Sequence, residues 1–195
     1  MTVQRIAVLA ATAALAAAGA AAGTITGRVT SGPGEAVSDA VVYVGAVPGK
    51  SFAAPSKHAL MDQKNLTFIP HVLPVQEGTT VDFANSDSVD HNVFSPDPCA
   101  PAFDLGTWGK GGVRSHTFDK PCKAVILCSI HPDMEAFVVV VPTPYFARTG
   151  GDGAYTIQGV PDGSYTVHAW APNLPEQTRD VRVKGTATAD FRMGR

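Results

Sequence analysis

Past an Ala-rich leader the chain is built from short runs in which apolar and polar positions alternate, separated by Gly, Pro, Asn and Asp, with almost no helical periodicity. Strands are predicted at ITGRVT (25–30), AVVYVG (40–45), LTFIPHVLPV (66–75), TTVDFANS (79–86), HNVFS (91–95), VRSHTFD (113–119), KAVILC (123–128), AFVVVV (136–141), AYTIQGV (154–160), SYTVHAW (164–170) and TRDVRV (178–183). Many short strands with turn residues between them predict an all-β protein of the sandwich type.

Composition narrows this picture in two ways. With 195 residues, 45% hydrophobic, the chain can bury a core, and a net charge of -2 without a Lys/Arg cluster excludes nucleic acid as a partner. The opening MTVQRIAVLAATAALAAAGAAAG places one Arg before an Ala/Leu/Val run ending in small residues, which predicts a secretory signal peptide over 1–22. The run is too short and weakly apolar for an anchor, so the mature chain is expected in the periplasm, free of the membrane.

An exported chain with three cysteines, Cys99, Cys122 and Cys128, has one too many for pairing. Cys99 and Cys122 sit in Pro-flanked segments, DPCAP and KPCKA, whereas Cys128 ends the apolar run AVILC. A disulfide between Cys99 and Cys122 would close a loop worth roughly 3 kcal/mol in the chain-entropy model. It would leave Cys128 as the thiolate with another task.

That task is indicated by Cys128-Ser129-Ile130-His131-Pro132-Asp133-Met134, a short loop between two strands that presents a thiolate, an imidazole and a thioether together. Soft sulfur with imidazole selects copper, and two imidazoles, one thiolate and a weak axial Met make a blue-copper site. His91 is the candidate for the second imidazole, since it opens HNVFS after the strand TVDFANS, with Asn85 and Asn92 beside it. His58, His116 and His168 match no ligand position and are expected to be structural. His71, with Met61 and Gln63, is a candidate second, exposed copper site.

These segments, FIPHVLPVQEGTTVDFANSDSVDHNVFS followed by CSIHPDM, resemble the cupredoxin family in their V-x-x-G-x-x-V-x-F-x-N strand pair, H-N-V ligand and C-x-x-H-x-x-M loop. The two residues between His131 and Met134 are most similar to amicyanin's short loop, with Asp133 standing where that pattern has an aromatic residue. The resemblance implies a Greek-key β-sandwich over 59–142 holding one type 1 Cu ion on His91, Cys128, His131 and Met134. It also implies supporting roles for Asn85, Asn92 and Ser129, with His131 as the electron port. A site with Glu135 in place of the thioether stays open as a variant.

The flanks resemble a different family. GTITGRVTSGPGEAVSDAVVYVG and GDGAYTIQGVPDGSYTVHAW, the latter with a Pro-Asp-Gly turn, are similar to the carboxypeptidase regulatory-like, transthyretin-like sandwich. This implies a second, smaller Ig/transthyretin-like β-sandwich made of 23–55 and 143–195, with the copper unit inserted between its strands; a single enlarged sandwich is the rival arrangement. The expected function is single-electron transfer with a cytochrome c or a periplasmic dehydrogenase or oxidase as transient partner. Copper storage, delivery or resistance is the alternative. An enzyme is not expected, because no H-x-H pair supplies further copper sites and no acid stands ready to orient a Cys128/His131 hydrolase.

Overall fold

The computed structural model describes residues 22–194 apart from 33 and 97–101, so the expected leader up to residue 21 and Cys99 lie outside the described residues. The chain is all-β. It begins with β1 (Ala22–Ser31), β2 (Glu35–Ala36) and β3 (Val41–Val44). The middle holds β4 (Ala59–Gln63), β5 (Phe68–Ile69), β6 (Val72–Gln76), β7 (Thr79–Asn85), β8 (His91–Ser95), β9 (Phe103–Trp108), β10 (Val113–Phe118), β11 (Cys122–Leu127) and β12 (Glu135–Val141). Then follow β13 (Phe146–Arg148), β14 (Ala154–Pro161), β15 (Gly163–Ala171), β16 (Leu174–Val183), β17 (Thr186–Thr188) and β18 (Phe191–Met193).

These strands make four sheets. Two come from the middle, ordered β10-β7-β4-β5 and β6-β12-β11-β8-β9, and two from the flanks, one centred on β1 and one ordered β13-β3-β15-β16. Alternation decides what each pair encloses: in β7, Val81 and Phe83 are buried while Thr80 and Asp82 face out. The middle sheets close over a core that includes Met61, Phe68, Phe83, Phe118, Ile126 and Val138. The flanking sheets close over another, with Ile25, Val42, Ile157, Val167 and Phe191.

A third, smaller apolar cluster joins the two sandwiches. It contains Val41 and Tyr43 of β3, Val72 of β6, and Val139 and Val141 of β12, with Phe137, Phe146 and Trp170 packed against it. One strand thus serves both cores: Ala136, Val138 and Val140 face the middle core, and Phe137, Val139 and Val141 face the seam. Burial of each valine side chain is worth about 1.5 kcal/mol. A polar cluster flanks the seam, in which Glu176 accepts hydrogen bonds from Tyr43 Oη at 2.6 Å and Lys123 Nζ at 2.8 Å. The His168 ring stacks on Tyr43 with centroids 4.8 Å apart.

Most predicted strands are found within a residue or two. β1 and β16 begin three and four residues earlier than predicted, and the run 66–75 splits into β5 and β6 because Pro70 has no N–H to give to a ladder. Besides the two- and three-residue strands β2, β13, β17 and β18, two longer strands, β4 and β9, are not predicted. The first is a short ALMDQ without β-branched residues, and the second carries Gly106 at φ 74, a breaker signal that the pairing with β8 overrides. Cys122, expected in a loop, begins β11 opposite Val140 and is buried.

Candidate metal centre

The strands β7 and β8 are joined by residues 86–90, and β11 and β12 by residues 128–134. Both connections lie at one end of the middle sandwich, because β8 and β11 are neighbours that pair at Phe94 and Leu127. His91 is therefore the first residue of its strand and Cys128 the first residue beyond its own. This brings the ligand atoms of His91, Cys128 and His131 within 4.8 Å of one another, the one such group of three found among the described residues. The two Nδ1 atoms are 3.0 Å apart, and Cys128 Sγ is 3.8 Å from Nδ1 of His131. His91 is fully buried, Cys128 is 4% exposed, and His131 is partly open to solvent.

The orientation of His91 follows from its other nitrogen. Nε2 stands 2.9 Å from Asp87 Oδ2, and Asp87 is held charged, its carboxyl pulled down to about 2 first by the backbone N–H of Leu66 and then by His91. An ionised carboxylate only accepts, so Nε2 carries the proton and Nδ1 turns a lone pair toward His131 and Cys128. The same carboxylate accepts from the backbone N–H groups of Asn65 and Leu66 at 2.8 and 2.9 Å. Both residues have left-handed backbones, φ 56 each, which for Leu66 costs roughly 1–2 kcal/mol that the carboxylate contacts help offset. Asp87 is in turn fixed by Asn85, whose Oδ1 accepts its N–H at 2.8 Å and whose Nδ2 donates to the carbonyls of Val89 and Trp108 at 2.9 Å each.

Asn92 ties the second ligand segment to the first. Its backbone N–H donates to Cys128 Sγ at 3.4 Å, and its Oδ1 accepts the N–H of Ser129 at 3.2 Å. Met134 is 1% exposed in the core cluster that also holds Cys128, and its N–H closes the loop onto the carbonyl of His131 at 3.0 Å. Glu135 is exposed on the opposite face of β12, which sets its carboxylate apart from the buried cluster.

The remaining candidates lie elsewhere. Met61 is wholly buried in the middle core, whereas His71 is exposed with its ring edge-on to Phe137, so the two do not converge on an exposed second site. His58 pairs with Asp82, and His116 stacks on Phe103. Cys99 lies outside the described residues, so its pairing with the buried Cys122 does too. The residue that sequence reasoning missed is Asp87. The run NSDSVDH offers two carboxylates before His91, and nothing in spacing alone chooses the one four residues back.

Comparison with known proteins covers parts of the chain. The family described as carboxypeptidase regulatory-like domain matches residues 132–194. A comparison with curated proteins finds no match. Among solved structures the chain is similar to a copper-containing nitrite reductase (NirK) from Thermus scotoductus SA-01, at 30% identity and a TM-score of 0.43, over 51% of this chain and 25% of that one. It is also similar to a purple cupredoxin from Nitrosopumilus maritimus, at 27% identity and a TM-score of 0.38, over 42% of this chain and 98% of that one. A reduced amicyanin variant aligns at 23% identity and a TM-score of 0.41, over 51% of this chain and 97% of that one. The chain thus spans a quarter of the nitrite reductase and nearly all of the purple cupredoxin and the amicyanin variant.

Proposed function

We propose that the middle sandwich holds one copper ion on His91, Cys128, His131 and Met134 and that the protein carries single electrons between redox partners in the periplasm. The observation that carries this reading is the convergence of two imidazole nitrogens and a thiol sulfur at one buried point. A donor set of two nitrogens and one sulfur fits copper by its softness. Bound there, copper would supply a reversible one-electron couple between Cu(I) and Cu(II).

The chain's own residues set the conditions for that chemistry. Asp87 keeps His91 in one tautomer and one orientation. The Asn92 backbone N–H places the positive end of its dipole on the Cys128 sulfur. Packing of Cys128 and Met134 in the apolar cluster excludes water from the sulfur side, while His131 keeps an open edge. That edge stands beside Ile130, 44% exposed, and the same end of the sandwich carries Val89, 43% exposed, ahead of His91. Apolar side chains around a partly exposed imidazole fit a transient contact with a cytochrome c or a periplasmic dehydrogenase or oxidase, at the small end of interface sizes.

The seam supports a reading of the chain as one sandwich, 23–55 with 143–195, that carries the copper unit 59–142 as an insert. The apolar contacts among β12, β3 and β15 and the Lys123–Glu176 pair between β11 and β16 give that insert a fixed seat. Copper storage or delivery is a second reading, favoured by the fused sandwich, which an electron shuttle does not need. Titrating copper into metal-free protein and then measuring its potential tests both. Saturation at one equivalent with a reversible one-electron wave supports electron transfer; a second bound equivalent, or no reversible wave, contradicts it and favours handling.

A further inference from the structure

Asn92 makes contacts beyond the ligand loops. Its Nδ2 group stands 2.7 Å from Asp104 Oδ1 and 3.0 Å from the carbonyl of Gly106. The same Asp104 oxygen accepts the backbone N–H of Gly106 at 2.8 Å, a side-chain-closed turn inside β9. Gly106 has φ 74, a left-handed conformation that a side chain would strain, so the glycine is what lets the turn form.

These contacts remove any ambiguity in how the Asn92 amide is oriented. Both of its amide hydrogens face acceptors, and its oxygen faces the N–H of Ser129. Turned over, the amide would set its oxygen against a carboxylate and a carbonyl, and its NH2 against an N–H. Asn92 is 2% exposed, so no solvent stands ready to relieve such clashes. The bond to a carboxylate is also the stronger kind, since an ionised acceptor roughly doubles a hydrogen bond.

We infer that Asp104, through the turn it closes with Gly106, is the positioning residue that locks Asn92 between the two ligand segments and so holds its backbone N–H on the Cys128 sulfur. The geometry stands on its own; its consequence for a metal rests on the copper reading above. Without the Asp104 acceptor, the Asn92 side chain loses a tether, the link to Ser129 loosens, and the Cys128 thiol becomes easier to reach. Loss of such an outer partner weakens metal affinity by about 10- to 100-fold. The carboxylate charge acts separately. Removing it alone raises the potential in any neutral variant, whereas losing the N–H contact to sulfur lowers it, because the positive end of that dipole disfavours the oxidised ion. Positioning therefore predicts that the alanine variant lies below the asparagine variant, whose amide oxygen still accepts.

The test compares the full chain with Asp104→Ala and Asp104→Asn. In metal-free protein, alkylation at Cys128 by iodoacetamide, mapped by peptide mass, is expected to speed up several-fold in Asp104→Ala and to stay at the wild-type rate in Asp104→Asn. Loaded with copper, Asp104→Ala is expected to show the 10- to 100-fold weaker affinity and the lower potential of the two variants. If Asp104→Ala does not fold, the wild-type protein decides by NMR: the Asn92 side-chain amide protons should exchange slowly. Wild-type alkylation rates and affinity in a folded Asp104→Ala, or Asn92 amide protons exchanging as fast as those of a free side chain, would overturn the inference. A wild-type chain that binds no copper sinks the functional reading instead, while alkylation and amide exchange still judge Asp104.

Discussion

The two sandwiches differ in the polar side chains they bury: Thr143 and Thr149 in the flanking segments, larger amides and an imidazole in the middle. The flanking one encloses aliphatic and aromatic residues such as Ile25, Ile157, Val167 and Phe191, and its tyrosine hydroxyls donate to carbonyls, as Tyr165 does to Pro161 at 2.8 Å. The middle one buries Gln63, Asn85, His91, Asn92 and Ser95 among its apolar residues. Three of these, Asn85, His91 and Asn92, gather at the ligand end. A buried polar group without a partner costs roughly 1–3 kcal/mol, and the bonds that satisfy these three also aim the ligands. The flanking core holds a shape; the middle core spends part of its stability on holding a geometry.

The strongest break of this contrast is expected at the thiol. Cys128→Ala should abolish the intense thiolate-to-copper absorption of copper-loaded protein while leaving the sandwich folded by circular dichroism, since it deletes only one buried sulfur. Next comes a matched pair. Asn85→Ala removes the donor to Val89 and Trp108 and the acceptor for Asp87, and should cost about 3 kcal/mol in urea unfolding and shift the absorption band. Ile157→Ala, in the other core, should cost a similar amount, about 3 kcal/mol, with the band unmoved. Equal spectral effects from both would erase the distinction between the two cores.

A smaller effect depends on pH. His116 is packed between Phe103 and Phe118, and its burial pushes its pKa below the ordinary 6.5, with Asp119 pulling weakly the other way. The unfolded chain therefore takes up this proton at a higher pH than the folded one. Stability from this group is complete above about pH 6.5 and declines as the pH falls through that value. His116→Phe should flatten that slope in urea unfolding measured across the range. The smallest effect is expected at the seam, where Lys123→Ala removes the 2.8 Å pair with Glu176. Partly exposed and screened by solvent, that pair should contribute less than about 1 kcal/mol to unfolding, with the spectrum unchanged.

The contrast also explains what could be read from the residues. The strands of both sandwiches stand out because alternation and turn residues are local signals, as in HNVFS and in the hairpin around Pro161. The convergence of His91, Cys128 and His131 is legible because a thiolate and two imidazoles are few and chemically specific. Asp87 and Asp104 are not, since a carboxylate reads the same in sequence whether it faces solvent, the outer nitrogen of His91 or the amide of Asn92. Only the fold, which sets β9 beside β8 and the turn at Asn65 and Leu66 beside Asp87, gives them their roles.

X-ray absorption at the copper edge of the loaded wild-type chain puts the ligand assignment to its most direct trial. One short sulfur and two imidazole nitrogens around the metal are the expected first shell, from Cys128, His91 and His131. A shell of nitrogen and oxygen alone, without short sulfur, would contradict it.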